Sequence, residues 1–193
     1  MKRTLRGACC ACTEEACGLS FGEVGMLRLD EDVFDFPMTA SEVRSHLLLR
    51  EDIYRLLRAY AREIAAVAKN DAPDVVRLLD LDALWNADGA LFDPSDRRYL
   101  GCVLDATDAL LQQDVIFEAR LSSSKKGRAP ILYPPLLALR RIGERRGRVM
   151  LSREANTPEP SDITLRDAAA MLRACGIGCV YTWENKEWKS VPL

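Results

Sequence analysis

The sequence is poor in the features that would assign it quickly. It has one histidine, His46, so a Cys-His pair or a Ser-His-Asp set would have to be built on that residue alone. His46 sits beside "LLL" near the start of an amphipathic helical pattern, and a surface or half-buried helix position accounts for it. No stretch approaches the roughly 18 consecutive apolar residues of a membrane span. The opening "MKRTLRGACCACTEEACG" is basic but carries no apolar h-region, so it does not read as a signal peptide, and the expected compartment is the cytoplasm. There is no P-loop, kinase or hydrolase signature. "GIG" at Gly176–Gly178 precedes a strand pattern rather than opening a helix, which excludes a dinucleotide loop. Paired acids such as Asp80 and Asp82, or Glu14 and Glu15, fall in no spacing of a metal-dependent nuclease. The formal net charge is only −2, so any attraction to nucleic acid has to come from local charge.

What is present is an ordinary core-forming composition. The 193 residues are 48% hydrophobic and 29% charged, enough for one domain or two small ones. The cysteines number seven: Cys9, Cys10, Cys12, Cys17, Cys102, Cys175 and Cys179. An odd count without an export signal favours reduced thiols or a metal over a disulfide framework. Cys9 and Cys12 have the C-x-x-C spacing that lets two thiolates share one zinc, and Cys17 is a third candidate ligand. Cys175 and Cys179 complete the set if the tail folds back, and one structural zinc would then hold an N-terminus that lacks a core. Ordinary reduced thiols and an iron–sulfur cluster are the competing readings. Cys102 lies in a helical pattern and reads as a small core residue.

Along the chain, residues 1–40 read as an irregular, cysteine-containing layer with a short strand in "FGEVGMLRL". Residues 41–69 carry the clearest helix, with Ser41 as N-cap and Ile53, Leu57, Tyr60, Ile64 and Val67 on one face. A second helix is expected over about 73–86. A third opens at "DPSDRR", with Asp93 as cap, Pro94 at the first helical position and Leu100, Val103, Thr107 and Leu111 facing inward. Two alternating arms follow, Val115–Leu121 and Ile131–Tyr133, joined by "SSSKKGR". "YPPLLALRRIGERRG" gives a short basic helix that loosens into a linker to residue 160. Leu165, Ala168, Ala169 and Leu172 mark a last helix, and "CVYTWENKEWKSVPL" a terminal hairpin.

Helix, helix, helix and hairpin over 41–135 is the element order of the winged-helix superfamily, which that stretch resembles. The tail resembles excisionase-like and MerR-like winged helices at Thr164, Ala168, Ala169, Leu172, Val180, Tyr181 and Trp183, with one extra residue before Val180. The resemblance implies a mainly α fold with small β-hairpins. It would consist of a winged-helix-like core (41–135), a basic helix and linker (136–160) and a C-terminal helix-hairpin unit (161–193).

Charge supplies the functional expectation. From Arg120 to Arg148 there are nine basic residues, Arg120, Lys125, Lys126, Arg128, Arg140, Arg141, Arg145, Arg146 and Arg148, against the single acid Glu144. Asp71 to Asp96 holds seven aspartates and, before "DRR", only Arg77. A concentrated positive segment attracts phosphates and releases counterions on docking, and Ser122–Ser124 add donors for phosphate oxygens. The expectation is a non-enzymatic protein binding DNA or RNA, a regulator or an accessory subunit of a larger nucleoprotein complex of the defence or mobile-element type. The competing expectations are arginines paired to acids of the same chain or a partner, and an adaptor that uses winged-helix units on protein partners. No membrane partner is expected.

Overall fold

The computed structural model describes residues 9–10, 19–29, 32–35, 40–46, 52–78, 81, 91–122, 131–153 and 162–193. Among them the chain runs β1 (Cys9–Cys10), β2 (Phe21–Gly22), β3 (Met26–Leu29), β4 (Asp32–Asp35), α1 (Ala40–His46), α2 (Asp52–Asp71) and β5 (Val75–Val76). It continues with α3 (Arg97–Leu110), β6 (Ile116–Ser122), β7 (Ile131–Tyr133), α4 (Leu136–Glu144), β8 (Arg148–Arg153), α5 (Asp162–Ala174), β9 (Cys179–Glu184) and β10 (Glu187–Pro192).

The fold is α/β rather than mainly α. One sheet holds β1, β8, β6, β5 and β2 in that order, every neighbouring pair parallel, with β7 added antiparallel to β6. This overturns the winged-helix-like core. The two expected arms do pair, Arg120 with Tyr133 and Ser122 with Ile131, but β6 is the central strand of the sheet and not the edge of a wing. Alternation of Val115, Phe117, Ala119 and Leu121 is compatible with either role; what differs is that Ile116 and Glu118 between them are buried as well. Two further elements depart from expectation for related reasons. Val75 and Val76 form a strand where the periodicity predicts the start of a helix, consistent with two β-branched residues after Pro73. "RVMLSR", which reads as part of the linker, is β8, whose flanking arginines mask a short apolar run. The sheet thus takes strands from the expected 1–40, 41–135 and 136–160 segments alike.

The helices that pack on this sheet share one face of it. Val76, Phe117, Ala119, Leu121, Val149 and Leu151 belong to a single core with Leu57 and Ile64 of α2, Ala106 and Leu110 of α3, Leu139 and Ile142 of α4, and Leu165 and Leu172 of α5. The stripe of α2 is as predicted. That of α3 is partly rotated: Thr107 is fully buried as expected, but Tyr99, Cys102, Ala106 and Leu110 are buried too, and Leu100, Val103 and Leu111 only partly so. The opposite face has a small second core of Val75, Ile116 and Met150, covered by Phe21 and by Tyr181 and Trp188 of the β9–β10 hairpin. That hairpin turns through Asn185 (φ 54°) and Lys186 (φ 63°), the two left-handed positions of a type I′ turn.

Two helix ends fix the packing. α3 starts three residues later than expected: Asp96 is the N-cap, accepting from the Arg98 N–H, while Asp93 accepts from Ser95 in the preceding turn. The Tyr54 hydroxyl donates to Asp96 Oδ2 at 2.7 Å and the Arg98 guanidinium lies 3.8 Å over the Tyr54 ring, so the cap also fastens α3 to α2. α4 and α5 meet end to end. In each the residue after the C-cap is left-handed, Arg146 (φ 57°) and Gly176 (φ 82°), and the next N–H returns to the helix, Gly147 to Ile142 O and Ile177 to Leu172 O. A Cβ on Gly143 would stand 1.9 Å from the Cys175 carbonyl oxygen.

Gly143→Ala is therefore expected to destabilise the protein by about 2 kcal/mol or more, because a backbone atom blocks the methyl. A urea midpoint equal to that of the wild type would show that α4 and α5 do not approach this closely. Asp96 supplies a pH dependence. Hydrogen bonds from the Arg98 side chain, the Arg98 N–H and the Tyr54 hydroxyl lower its pKa from 3.8 to about 2. A depressed folded pKa means the cap stabilises fully above 3.8 and is lost as pH falls toward about 2. Melting temperature measured across that acid window should fall less steeply in Asp96→Asn than in the wild type.

Candidate functional site at the carboxyl edge of the sheet

Because the five strands are parallel, all of their carboxyl ends lie along one edge, which is where open α/β sheets bind ligands. The register builds rows across the face opposite the helices. The first is apolar except at its end: Phe21, Val75, Ile116, Arg148. The second contains Glu118 of β6 opposite Met150, reached by Arg77, which follows β5. The third, nearest the carboxyl edge, pairs Tyr133, Arg120 and Ser152, with Cys10 next to Ser152 on β1. Polarity thus rises along the strands toward one edge.

The centre of this arrangement is a buried carboxylate. Glu118 is 5% exposed and has a partner for each oxygen: Arg77 Nε donates to Oε2 and Ser152 Oγ donates to Oε1, both at 2.6 Å. Arg77 extends outward as well, with Nη1 3.2 Å from Glu23 Oε2 and its guanidinium 5.0 Å from the Phe21 ring centre. Burial alone would lower the Arg77 pKa, but the hydrogen bond and charge of Glu118, joined by Glu23, raise it above its ordinary value. On the edge of β6 facing this cluster, β5 pairs only with Ile116 and Phe117, and β7 takes over at Arg120. Arg77 reaches Glu118 in the interval between them. On the helix side of the sheet, Leu78 and Pro134 border an apolar cavity of about 30 Å³ together with Leu57, Tyr60, Tyr99 and Cys102. Burial pushes the Cys102 thiol pKa up, as suits the core role expected of it.

The expected basic segment does not form one patch. Arg120 is half-buried at the carboxyl edge, with its guanidinium 5.7 Å from the Tyr133 ring centre. Arg148 pairs with Asp114 beside the amino end of β6, four residues and so about 13 Å away along the strand. Arg141 is also engaged, with Nε 3.2 Å from Asp108 and Nη1 3.8 Å from Glu144. Arg140, Arg145 and Arg146 are exposed on α4 and its C-terminal turn. Lys125, Lys126 and Arg128 lie outside the described residues.

The cysteines are also dispersed where they are described. Cys9 is the β1 partner of Leu151, Cys175 is buried with its Sγ 4.0 Å from the Leu136 carbonyl oxygen, and Cys179 is half-buried at the start of β9. Cys12 and Cys17 lie outside the described residues, and no three ligating side chains come together among those described. No described helix is long and apolar enough to cross a membrane.

Sequence reasoning missed Glu23, Arg77, Glu118 and Ser152 as a group. Their signals are slight but physical: Glu118 is a lone acid inside "VIFEARL", Ser152 ends "VMLS", and Arg77 is the one base of an acidic stretch. Glu118→Ala should cost about 2 to 3 kcal/mol. That is below the roughly 3–5 kcal/mol of a fully buried pair, because Arg77 retains 26% side-chain exposure. Urea denaturation with an unchanged m-value checks this; a loss below about 1 kcal/mol would mean the cluster is solvated.

No protein-family model matches the chain, and no curated protein matches its sequence. Function is therefore read from the site itself.

Proposed function

We propose that this protein binds nucleic acid, meeting phosphates at the carboxyl edge of the sheet, in the role of a regulator or an accessory subunit of a larger nucleoprotein complex. The observation that carries this reading is the position of Arg120. It stands on the central strand at the edge where parallel sheets bind ligands, beside Tyr133, and the "SSSKKGR" sequence continues directly from that strand. Arg140, Arg145 and Arg146 form a second, exposed basic group through α4. Arg148 lies about 13 Å away along the strand and Arg141 is turned to Asp108 of α3, so both contribute less at this edge. What supports binding over catalysis is that both oxygens of Glu118 are engaged and Ser152 is only 4% exposed, so neither is offered to a substrate.

Fluorescence anisotropy with short duplex and single-stranded oligonucleotides, repeated over a range of salt, tests the proposal. Alanine at Lys125, Lys126 and Arg128 should weaken binding and flatten the log–log salt slope by roughly 0.9 per lost duplex contact, nearly three in all. Arg120→Ala should add about one contact more. Arg141→Ala and Arg148→Ala should leave the slope nearly unchanged. A slope identical to that of the wild type in the triple variant would remove the "SSSKKGR" sequence from the interface, and one unchanged in Arg120→Ala would remove the carboxyl edge.

A further inference from the structure

We propose that Arg77 is an anion-binding residue whose site is held in the free protein by the chain's own Glu23, and that the ligand's phosphate displaces this carboxylate. The proposal deepens the nucleic-acid reading and rests on it for the source of the phosphate. The geometry has two halves with different properties. On the inner side, Arg77 Nε donates at 2.6 Å to Glu118, which is 5% exposed and anchored by Ser152. A buried carboxylate gripping Nε fixes the plane of the guanidinium, and the Phe21 ring at 5.0 Å supports its face. On the outer side, Nη1 meets Glu23 at 3.2 Å, while Nη2 is bonded to no described residue.

The outer partner differs from the inner one in cost. The Glu23 side chain is 47% exposed, so it can return to water without a desolvation penalty, and an exposed pair of this kind contributes little to stability. Glu118 cannot leave without stranding a buried charge. An incoming phosphate would therefore exchange with Glu23 and leave the Arg77–Glu118 anchor in place. It would find a guanidinium already oriented, in the interval where β5 gives way to β7 beside β6. Arg120 stands one row nearer the carboxyl edge on the same strand as Glu118, so one polyanion can engage both arginines.

The experiment compares wild type, Glu23→Gln and Arg77→Lys. Inorganic phosphate is titrated first. Binding is read from the side-chain Nε–H resonance of Arg77 in the first two proteins, and calorimetrically in all three. An oligonucleotide carrying the same phosphate chemistry follows. Removing the competing charge should tighten phosphate binding roughly two- to fivefold in Glu23→Gln, the range of one exposed ion pair, with little change in melting temperature. Arg77→Lys keeps a charge but loses the planar fork, and should weaken binding. If Glu23→Gln binds phosphate no tighter than the wild type, Glu23 is only a surface partner of Arg77 and the proposal is overturned. Tighter phosphate binding without tighter oligonucleotide binding would keep the anion site and remove nucleic acid as its source. The two readings therefore fail separately.

Discussion

Strand β6 is paired along both edges and covered on both faces, and the remaining elements are placed by that constraint. β8 runs beside it from Ile116 to Leu121, while β5 and β7 divide the other edge. Phe117, Ala119 and Leu121 face the helices; Ile116 faces the small core under the terminal hairpin. A one-residue slip of β6 would exchange these faces and drive Glu118 and Arg120 into the helix-side core. Register is thus enforced by charge as much as by apolar contact.

The buried ion pair has a corresponding specificity. Glu118 ties three elements with two hydrogen bonds, to Arg77 after β5 and to Ser152 on β8. A hydrophobic residue could stabilise that position equally well, since burying charge is costly. What the carboxylate adds is direction: it turns a guanidinium toward the open edge and holds a hydroxyl inward. The same face carries apolar side chains at the amino end and hydrogen-bonded charged ones further along the strands.

Much of the local structure is legible in the sequence and the architecture is not. The faces of α2 and α5, the α4 helix and the β9–β10 hairpin follow from periodicity and turn chemistry, which are local properties. Parallel pairing joins residues far apart in sequence, and strands as short as Val75–Val76 leave no periodic trace. The helix-helix-helix-hairpin order misleads because β5 occupies the start of the expected second helix and β8 looks like a basic linker. In the site, the charge of the 120–148 segment is readable, but its division between two ends of the sheet requires the fold. Arg77 and Glu118 become a pair only because β5 lies next to β6.

The position of β1 has a consequence for biosynthesis. Cys9 and Cys10 are near the beginning of the chain, yet their partners are Leu151 and Ser152 on β8. By contrast β2, β5, β6 and β8 lie side by side in the order in which they are made. As the chain leaves the ribosome, each of those strands can add to the one before it, helices closing over a single face as they appear. β1 must wait, unpaired, until β8 has been translated, and its docking closes the longest loop among the described strands of the sheet. Of the described strands of this sheet, β1 comes first in sequence and is the last that can be added, so the far side of β8 is a bare strand edge in any nascent chain that forms β8 before β1 docks.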